Sequence, residues 1–379
     1  MKILHITYDY PDVINNKKTL AVKNLIKVSD DVLDNYCISL NRVNVKKDEK
    51  IYCFNKKVVI STFGLPKGIF FRYTLKHSID RIMSTEINLK KMDLVHAHKL
   101  TFEGPIAYYL YKKFGIPYIV SIRQTDFKVL KFKPTLKRKY KNILLECKNI
   151  LLISPWMKAE LINHFGIDFN KMIERKINVM PNIVECEKYY FERYDNDKFI
   201  TIFNMKNDNI KIKNIYKVID AINKLRNENI IVNLDIIGDG DSRKDIENII
   251  KKFNLQKQIT LLGKKKNDEI IKIIKNYKAF ILCSYPETFG LVYIEALISG
   301  LPIIYSKNTG VDGYFSKCSI GVKVNHNDIN EIKNAIIEIK NKHEVYKKNV
   351  LQFQSNGNLE MFGNKSVLNK YKKVIENSI

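Results

Sequence analysis

The sequence predicts an α/β protein built from two successive parallel sheets, each covered by helices on both faces. Three observations carry this. Apolar, strand-like runs alternate with amphipathic helical stretches along most of the 379 residues, the pattern of strand–helix–strand units. The alternation falls into two sets of similar length, with a seam near Pro181–Asp195. The length itself suits two or three domains at about 150 residues each.

The first set opens with KILHIT (Lys2–Thr7), a short apolar strand, and TLAVKNLIKVS (Thr19–Ser29), which has helical spacing. DLVHAH (Asp93–His98) reads as a strand. GPIAYYLYKKFG (Gly104–Gly115) reads as a helix closed by glycine. IPYIVSI (Ile116–Ile122) and NILLIS (Asn149–Ser154) are further strands, and Pro155 sits in the first turn of the helix PWMKAELINHFG. KINVMPN (Lys176–Asn182) ends the set. The second set runs KFITIFN (Lys198–Asn204), the amphipathic helix NIYKVIDAINKLRN (Asn214–Asn227), then VNLDIIG, SRKDIENIIKKFN, QITLLG, DEIIKIIKNY, AFILCS and LPIIYS. Two Rossmann-like domains follow, expected to face each other across a cleft, because parallel α/β sheets bind ligands beyond the carboxyl ends of their strands.

Composition narrows the classes. A hydrophobic content of 45% supports real cores, and 9 prolines with 15 glycines are too few for long disordered linkers. The apolar runs are short and bounded by charges, so a membrane span is not expected, and the start lacks the pattern of a signal peptide. A cytosolic protein is therefore expected, with a possible peripheral place on the inner membrane face. The six cysteines form no C-x-x-C pair and none has metal-ligand spacing to a histidine; buried free thiols are expected.

The net charge is +25. KFKPTLKRKYK (Lys131–Lys141) has six basic residues in eleven, and LPKGIFFRYTLKH (Leu65–His77) interleaves Phe70, Phe71 and Tyr73 with Lys67, Arg72 and Lys76. Such a surface is either a solvated basic face or one that attracts an anionic membrane. Nucleic acid is not expected, since no binding motif accompanies the charge.

The chemistry concentrates in YPETFGLVYIEALISGLPII (Tyr285–Ile304). A helix from about Gly290 to Ser299 is apolar on nearly every side except at Glu295. A buried carboxylate needs a hydrogen-bonding partner or a cavity. That partner is either a core basic or backbone group, or a ligand. Glu287 lies just before the helix, and the amides of Phe289, Gly290 and Leu291 are free to meet an anion. Acceptors flanking an amide cluster suit a ligand with hydroxyls at both ends and phosphates between, such as a sugar nucleotide.

PETFGLVYIEALISGLPII resembles the E-x7-E signature of the retaining glycosyltransferases of GT-B fold, the glycogen-synthase-like group 1 family. MDLVHAHKL, GIPYIVSIRQTD, LLISPWMKAEL, INVMPNIVE, LDIIGDGDSRKDIENII and ITLLGKKKNDEIIKII resemble further blocks of that family in the same order. The resemblance thus covers most of the chain. It implies an acceptor-binding domain over residues 1–185, a nucleotide-sugar domain over 186–355 and a C-terminal helix, 356–379, packing back on the first domain through Phe362 and Tyr371.

The resemblance also implies roles. Glu287 holds the transferred sugar and acts in catalysis. Glu295 holds the ribose. Thr288, Phe289, Gly290 and Leu291 bind the distal phosphate, and Gly263 belongs to the nucleotide-sugar site. Lys213 stands where the family has its lysine, and neutralises the departing diphosphate. The arginine usual before it is missing from FNMKNDNIKIKN, leaving Lys206, or Lys211, as the substitute in a loop that reads as lengthened. In the first domain RQTD stands where the family has H-G-x-D, so Arg123 takes the catalytic position and Asp126 and His98 the substrate side. The family's Gly-Gly loop after the first strand is absent.

The implied reaction is transfer of a sugar, with retention, from a nucleotide diphosphate sugar, UDP-linked, to a glycan or lipid-linked glycan in surface polysaccharide or glycolipid synthesis. No cofactor or obligatory metal is expected; GDGD (Gly238–Asp241) reads as a turn. The departures leave a non-catalytic partner of the same fold as the alternative, and a sugar-nucleotide epimerase as a second.

Overall fold

Two parallel sheets organise the protein in a computed structural model that describes residues 1–64, 71–184, 197–316 and 318–379. Leu65–Phe70 of the basic, aromatic stretch, most of the seam and Cys186 lie outside the described residues. The chain divides into one unit of Met1–Ile153, Met157–Ile183 and Asn364–Ile379, and another of Ser154–Trp156 and Val184–Gly363.

The first unit contains β1 (Lys2–Thr7), α1 (Ala21–Ser29), β2 (Asp34–Val43), β3 (Ile51–Phe54), β4 (Lys57–Phe63), α2 (Phe71–Met83), β5 (Leu94–Ala97) and α3 (Glu103–Phe114). It continues through β6 (Tyr118–Ile122), α4 (Gln124–Phe132), α5 (Lys137–Glu146), β7 (Ile150–Leu152), α6 (Met157–Phe165), α7 (Ile167–Ile173) and β8 (Ile177–Val179). The sheet order is β3-β4-β2-β1-β5-β6-β7-β8, parallel except for the β3–β4 hairpin. β1 sits between β2 and β5, with Ile3 opposite Leu94 and Ile6 opposite Ala97. Strand order reverses there, and this is where doubly wound sheets open a crevice. The central strands read as continuous apolar runs because both faces are covered: Ile3, Leu4 and Ile6 are fully buried.

The second unit contains β9 (Lys198–Ile202), α8 (Asn207–Lys213), α9 (Ile215–Asn227), β10 (Asn233–Ile237), α10 (Arg243–Lys252), β11 (Ile259–Gly263) and α11 (Asn267–Ile274). Then come β12 (Ala279–Leu282), α12 (Leu291–Ile298), β13 (Ile303–Ser306), β14 (Gly321–Val324), α13 (Ile329–Asn341) and α14 (His343–Ser355). Its sheet runs β11-β10-β9-β12-β13-β14, all parallel. Its switch point lies between β9 and β12, and the loops leaving their carboxyl ends carry Lys206 and Glu287.

The last helix, α15 (Asn364–Glu376), belongs to the first unit, where Val367, Tyr371, Val374 and Ile375 pack with Ile3, Leu94 and Ile119. The hydroxyl of Tyr371 lies 2.8 Å from His96 Nδ1. Two expectations need correction. The second unit continues to Gly363, not to 355, because the turn at Asn358–Phe362 packs there. Phe362 accordingly is not an anchor on the first unit; its ring meets Phe289, Tyr314 and Phe315 of the second.

Candidate active site

In the second unit the chain leaves β12 through Ser284 and a cis Tyr285–Pro286 bond, then turns sharply into α12. Gly290 makes the turn at φ 79°, and a β-carbon there would fall 2.5 Å from the Tyr293 ring. Only glycine fits without strain. The Glu287 backbone is clamped from the loop after β13. Its N–H donates to Thr309 Oγ1 at 2.7 Å, while its carbonyl accepts from the Thr309 hydroxyl at 2.9 Å and from Gly310 N–H at 2.9 Å. The carboxylate is therefore held at a defined place. Lys213 Nζ donates to Oε2 at 2.7 Å, and Thr288 N–H donates to Oε1 at 3.1 Å.

Glu295 projects from α12 without a partner. No hydrogen bond or ion pair reaches its carboxylate among the described residues, and burial raises its pKa above the ordinary carboxylate value. It is only partly exposed. The N–H groups of Phe289, Gly290 and Leu291 likewise have no acceptor among the described residues, whereas Thr288 N–H is taken by Glu287. α12 thus presents an unpaired carboxylate and three unpaired amides.

The basic segment after β9 is not simply a lengthened loop. It winds into α8, with the exposed Lys206 at its N-cap and Lys213 as its last residue. Asn214 then takes the left-handed conformation at φ 57° and starts α9. GDGD is a packing turn: a β-carbon at Gly240 would meet the Met205 carbonyl carbon at 2.7 Å and Lys206 N at 3.0 Å. Gly263 ends the edge strand β11 and its carbonyl accepts from Gly238 N–H at 2.9 Å. The structure therefore brings Glu287 and Lys213 into contact and puts Thr288, Phe289, Gly290, Leu291 and Glu295 on one turn and helix. Lys206 lies at the other end of α8, and Gly263 two strands from β9.

In the first unit the predicted residues are more buried than expected. His98 is 1% exposed and does not face open space. Its Nε2 lies 2.9 Å from His5 Nδ1, and its ring stacks on His96 at 3.9 Å. His5 Nε2 lies 3.0 Å from Asn35 Oδ1, so in neutral His5 that nitrogen donates and Nδ1 accepts from His98. Burial lowers the His5 pKa to about 4 and holds His96 and His98 well below the usual value. These three rings are the one group among the described residues with three metal-capable side chains in reach of each other. Both His96 nitrogens already face hydroxyls, of Tyr371 and Ser121.

Asp126 also departs from expectation. It is fully buried, and its oxygens accept from Thr101 N–H at 2.8 Å, the Thr101 hydroxyl at 2.6 Å and Arg123 N–H at 2.9 Å. It caps α4, with its carboxylate taken up by protein donors. Arg123 donates from Nε to the His98 carbonyl at 3.2 Å and leans towards Asp9, 3.8 Å away. Asp9 is held at 2.7 Å by Lys99. Beside them Glu103 accepts from Tyr8 N–H at 2.9 Å, and burial pushes its pKa up to about 8.

Two family models together cover most of the chain: Glycosyltransferase Family 4 over residues 42–188 and Glycosyl transferases group 1 over 189–358. The chain belongs to the GT-B glycosyltransferases. An uncharacterized glycosyltransferase of Methanocaldococcus jannaschii is 28% identical over 353 residues, 92% of this chain and 90% of its own. The UDP-Gal:alpha-D-GlcNAc-diphosphoundecaprenol alpha-1,3-galactosyltransferase of Escherichia coli is 28% identical over 297 residues, 71% and 74% of the two chains. Among solved structures, sucrose-phosphate synthase of Thermosynechococcus elongatus superposes with a TM-score of 0.75 at 16% identity, covering 99% and 98%.

Sequence reasoning missed several parts of this glycosyltransferase's site. Thr309 fixes the Glu287 backbone from 22 residues away, a distance at which spacing carries no signal. Tyr285, two residues before Glu287 and 45% exposed, stacks on His326 at 3.8 Å. Asp9, Lys99 and Glu103 follow the carboxyl ends of β1 and β5, the position that marks ligand-facing residues in such sheets. Chemically, the glycosyltransferase offers carboxylate acceptors, amides without an acceptor among the described residues and the Lys213 ammonium around one turn, a set suited to hydroxyls and an anion together.

Proposed function

We propose that this glycosyltransferase moves a sugar, with retention of anomeric configuration, from a UDP-linked donor to a glycan or lipid-linked glycan. The observation that carries the reading is Glu295: a desolvated carboxylate with no partner among the described residues, beside three amides with no acceptor among them. A vicinal ribose diol supplies the two donors Glu295 lacks, and the distal phosphate supplies the acceptor for the N–H groups of Phe289, Gly290 and Leu291. Glu287 exchanges its Lys213 partner for a hydroxyl of the transferred sugar. Lys213 then meets the diphosphate, with Lys206 on the same segment. The sugar–diphosphate bond breaks as the acceptor oxygen bonds to the anomeric carbon, and the acceptor proton ends on the departing diphosphate.

Charge on the leaving group is met by lysines and amides, so no obligatory metal is required in this reading. The E. coli relative, named for a UDP-galactose donor and a diphosphoundecaprenol-linked acceptor, supports the donor and acceptor classes. The test is a panel of nucleotide sugars offered with lipid-linked and free glycan acceptors, followed by NMR of the product's anomeric proton. A UDP-sugar turning over to the donor's own anomer, lost in Glu287→Ala, is the expected result. An inverted product, or preference for a donor without uridine, would overturn it.

A further inference from the structure

Three histidines meet in the core of the first unit, on one face of its sheet. His5 of β1 lies directly opposite His96 of β5. His98 follows two residues later, where its N–H still pairs with the Ile6 carbonyl at 3.1 Å. Residues two apart on a strand, and partners on neighbouring strands, share a face. The three are 0%, 0% and 1% exposed, and one ring nitrogen of each lies within 4.8 Å of the others. Three nitrogens bound to one zinc at about 2.0–2.1 Å stand about 3.4 Å apart. The 2.9 Å between His5 Nδ1 and His98 Nε2 has to open by about half an ångström, and His96 has to close by at most about 1.4 Å. Both are small side-chain rotations.

The surroundings already hold these rings as the outer shell of a metal site does. Asn35 donates from Nδ2 to Ser29 Oγ at 2.9 Å and to Asp30 Oδ1 at 2.8 Å, so its Oδ1 faces His5 Nε2 at 3.0 Å. That nitrogen carries the His5 proton, and the Nδ1 lone pair points into the cluster. His96 is flanked by the Tyr371 and Ser121 hydroxyls, each at 2.8 Å. One of them donates to the neutral ring; turning it away frees a lone pair, while the other stays as an outer partner. Burial, with the nearby Arg123 charge in support, keeps protons off His96 and His98, which leaves the neutral imidazoles that metals bind. The same Arg123 charge opposes a dication, so binding rests on the nitrogen lone pairs. With no carboxylate among the three ligands, the set suits zinc and its neighbours cobalt, nickel and copper, not magnesium or calcium.

We propose that His5, His96 and His98 form a structural site for a divalent transition metal of the zinc class, tying β1 to β5. His5 binds through Nδ1 and His98 through Nε2. The proton on His98 Nε2 leaves and Nδ1 takes one up, so the three rings stay neutral and no net proton is released. Because the rings are closed to solvent, the metal enters as the first unit folds. The site lies in the first unit, apart from the Glu287 turn, so its failure leaves the donor reading as it stands.

The test is refolding of the untagged full chain from urea with zinc, with cobalt or with EDTA, followed by gel filtration, metal analysis and thermal melts. Wild type should retain one zinc per chain and melt higher than the EDTA sample. With cobalt it should show the strong visible absorption of a low-coordinate nitrogen site. His98→Gln keeps a donor for His5 Nδ1 and should fold without the metal. His164→Gln, which removes a histidine of α6, should retain it. Zinc no higher in wild type than in His98→Gln overturns the proposal. So does zinc that leaves the melting temperature at the EDTA value, the mark of adventitious surface binding. If His98→Gln does not fold, the wild-type cobalt sample decides: the visible band supports the site, and its absence overturns it.

Discussion

Lys213 and Glu287, 74 residues apart in sequence, form an ion pair of 2.7 Å at the carboxyl ends of β9 and β12. Both side chains keep some contact with solvent, 21% and 17%. In the proposed reaction each group exchanges the other for the donor. Because it is not sealed from water, its contribution to stability is under about 1 kcal/mol. Lys213→Ala should leave the melting temperature nearly unchanged. If Lys213 meets the leaving diphosphate, kcat should fall about 10²–10³-fold, the range for loss of one charge-stabilising donor. Steady-state kinetics beside a thermal melt separates the two; a large loss of stability with little change in kcat would reassign the pair to a structural role.

Glu295 makes the opposite kind of test, since its carboxylate has no hydrogen bond or ion pair among the described residues to lose. Burial raises its folded pKa above the unfolded one. The folded state thus holds the proton more tightly, and stability falls as pH rises from the unfolded towards the folded value. Glu295→Gln removes that term, so the variant should be as stable as wild type in acid and equal or more stable at pH 7. UDP binding should weaken roughly 10- to 100-fold, the loss expected for hydrogen bonds to a charged group. Calorimetric titration with UDP and melts at pH 4 and 7 would check both; unchanged UDP affinity would remove the ribose from Glu295.

These two residues also show what the chain discloses on reading. Glu287 and Glu295 stand out because a carboxylate in an apolar run is costly. β1, β9 and β12 stand out because strands covered on both faces are mostly apolar. β2 and β4 do not, since buried Ser39, Asn41, Ser61 and Thr62 interrupt their apolar runs. Asp12 accounts for part of this: it accepts from Asn41 Nδ2 at 2.9 Å and from the Ser39 hydroxyl, a bond made only after folding. α8 has seven residues rich in Lys and Asn and reads as loop. A helix cap and a substrate contact use the same residue type at a strand's end, so sequence alone does not tell the two apart at Asp126.

Glu103 gives a pH-dependent prediction in the first unit. Burial, reinforced by Asp9, outweighs the nearby Lys99 and sets its pKa at about 8. Its unfolded value is about 4.3, so stability declines as pH rises from there to about 8 and is level above. Glutamine keeps the oxygen that accepts from Tyr8 N–H and cannot ionise. Glu103→Gln should therefore match wild type near pH 4 and exceed it in urea midpoint at pH 9. A gap that does not grow with pH would show that Glu103 ionises as readily in the folded state as in the unfolded chain.

Gly290→Ala acts through backbone geometry. The residue sits at φ 79°, and the added methyl would lie 2.5 Å from the Tyr293 ring, whose hydroxyl donates to the Leu282 carbonyl at 2.7 Å. Neither the left-handed conformation nor the ring can be kept without strain. Alanine at a positive φ destabilises by more than about 1 kcal/mol. The turn that carries Glu287 and the three amides should shift with it, so nucleotide binding should weaken more than stability does. Melting temperature and UDP affinity measured on one preparation would test this; a normal affinity would mean that the turn does not hold the phosphate.

Tyr371→Phe examines how α15 is fastened to the first unit. The helix lies in the core with Ile3, Leu94 and Ile119, and phenylalanine keeps that packing. What disappears is the hydroxyl 2.8 Å from His96 Nδ1. His96 is fully buried, and the neighbouring His5 and Arg123 keep it from gaining a proton, so the nitrogen is left without a partner in a dry site. That costs about 1–3 kcal/mol. The same loss should appear in His96→Leu/Tyr371→Phe only in part, because the Tyr371 hydroxyl and His96 Nδ1 are then removed together, while the cost of leaving Ser121 without His96 Nε2 is common to the single and double His96 variants and cancels in the cycle. Urea unfolding of the two single variants and the double variant closes the cycle; strictly additive losses would show that the hydroxyl and the imidazole do not act on each other.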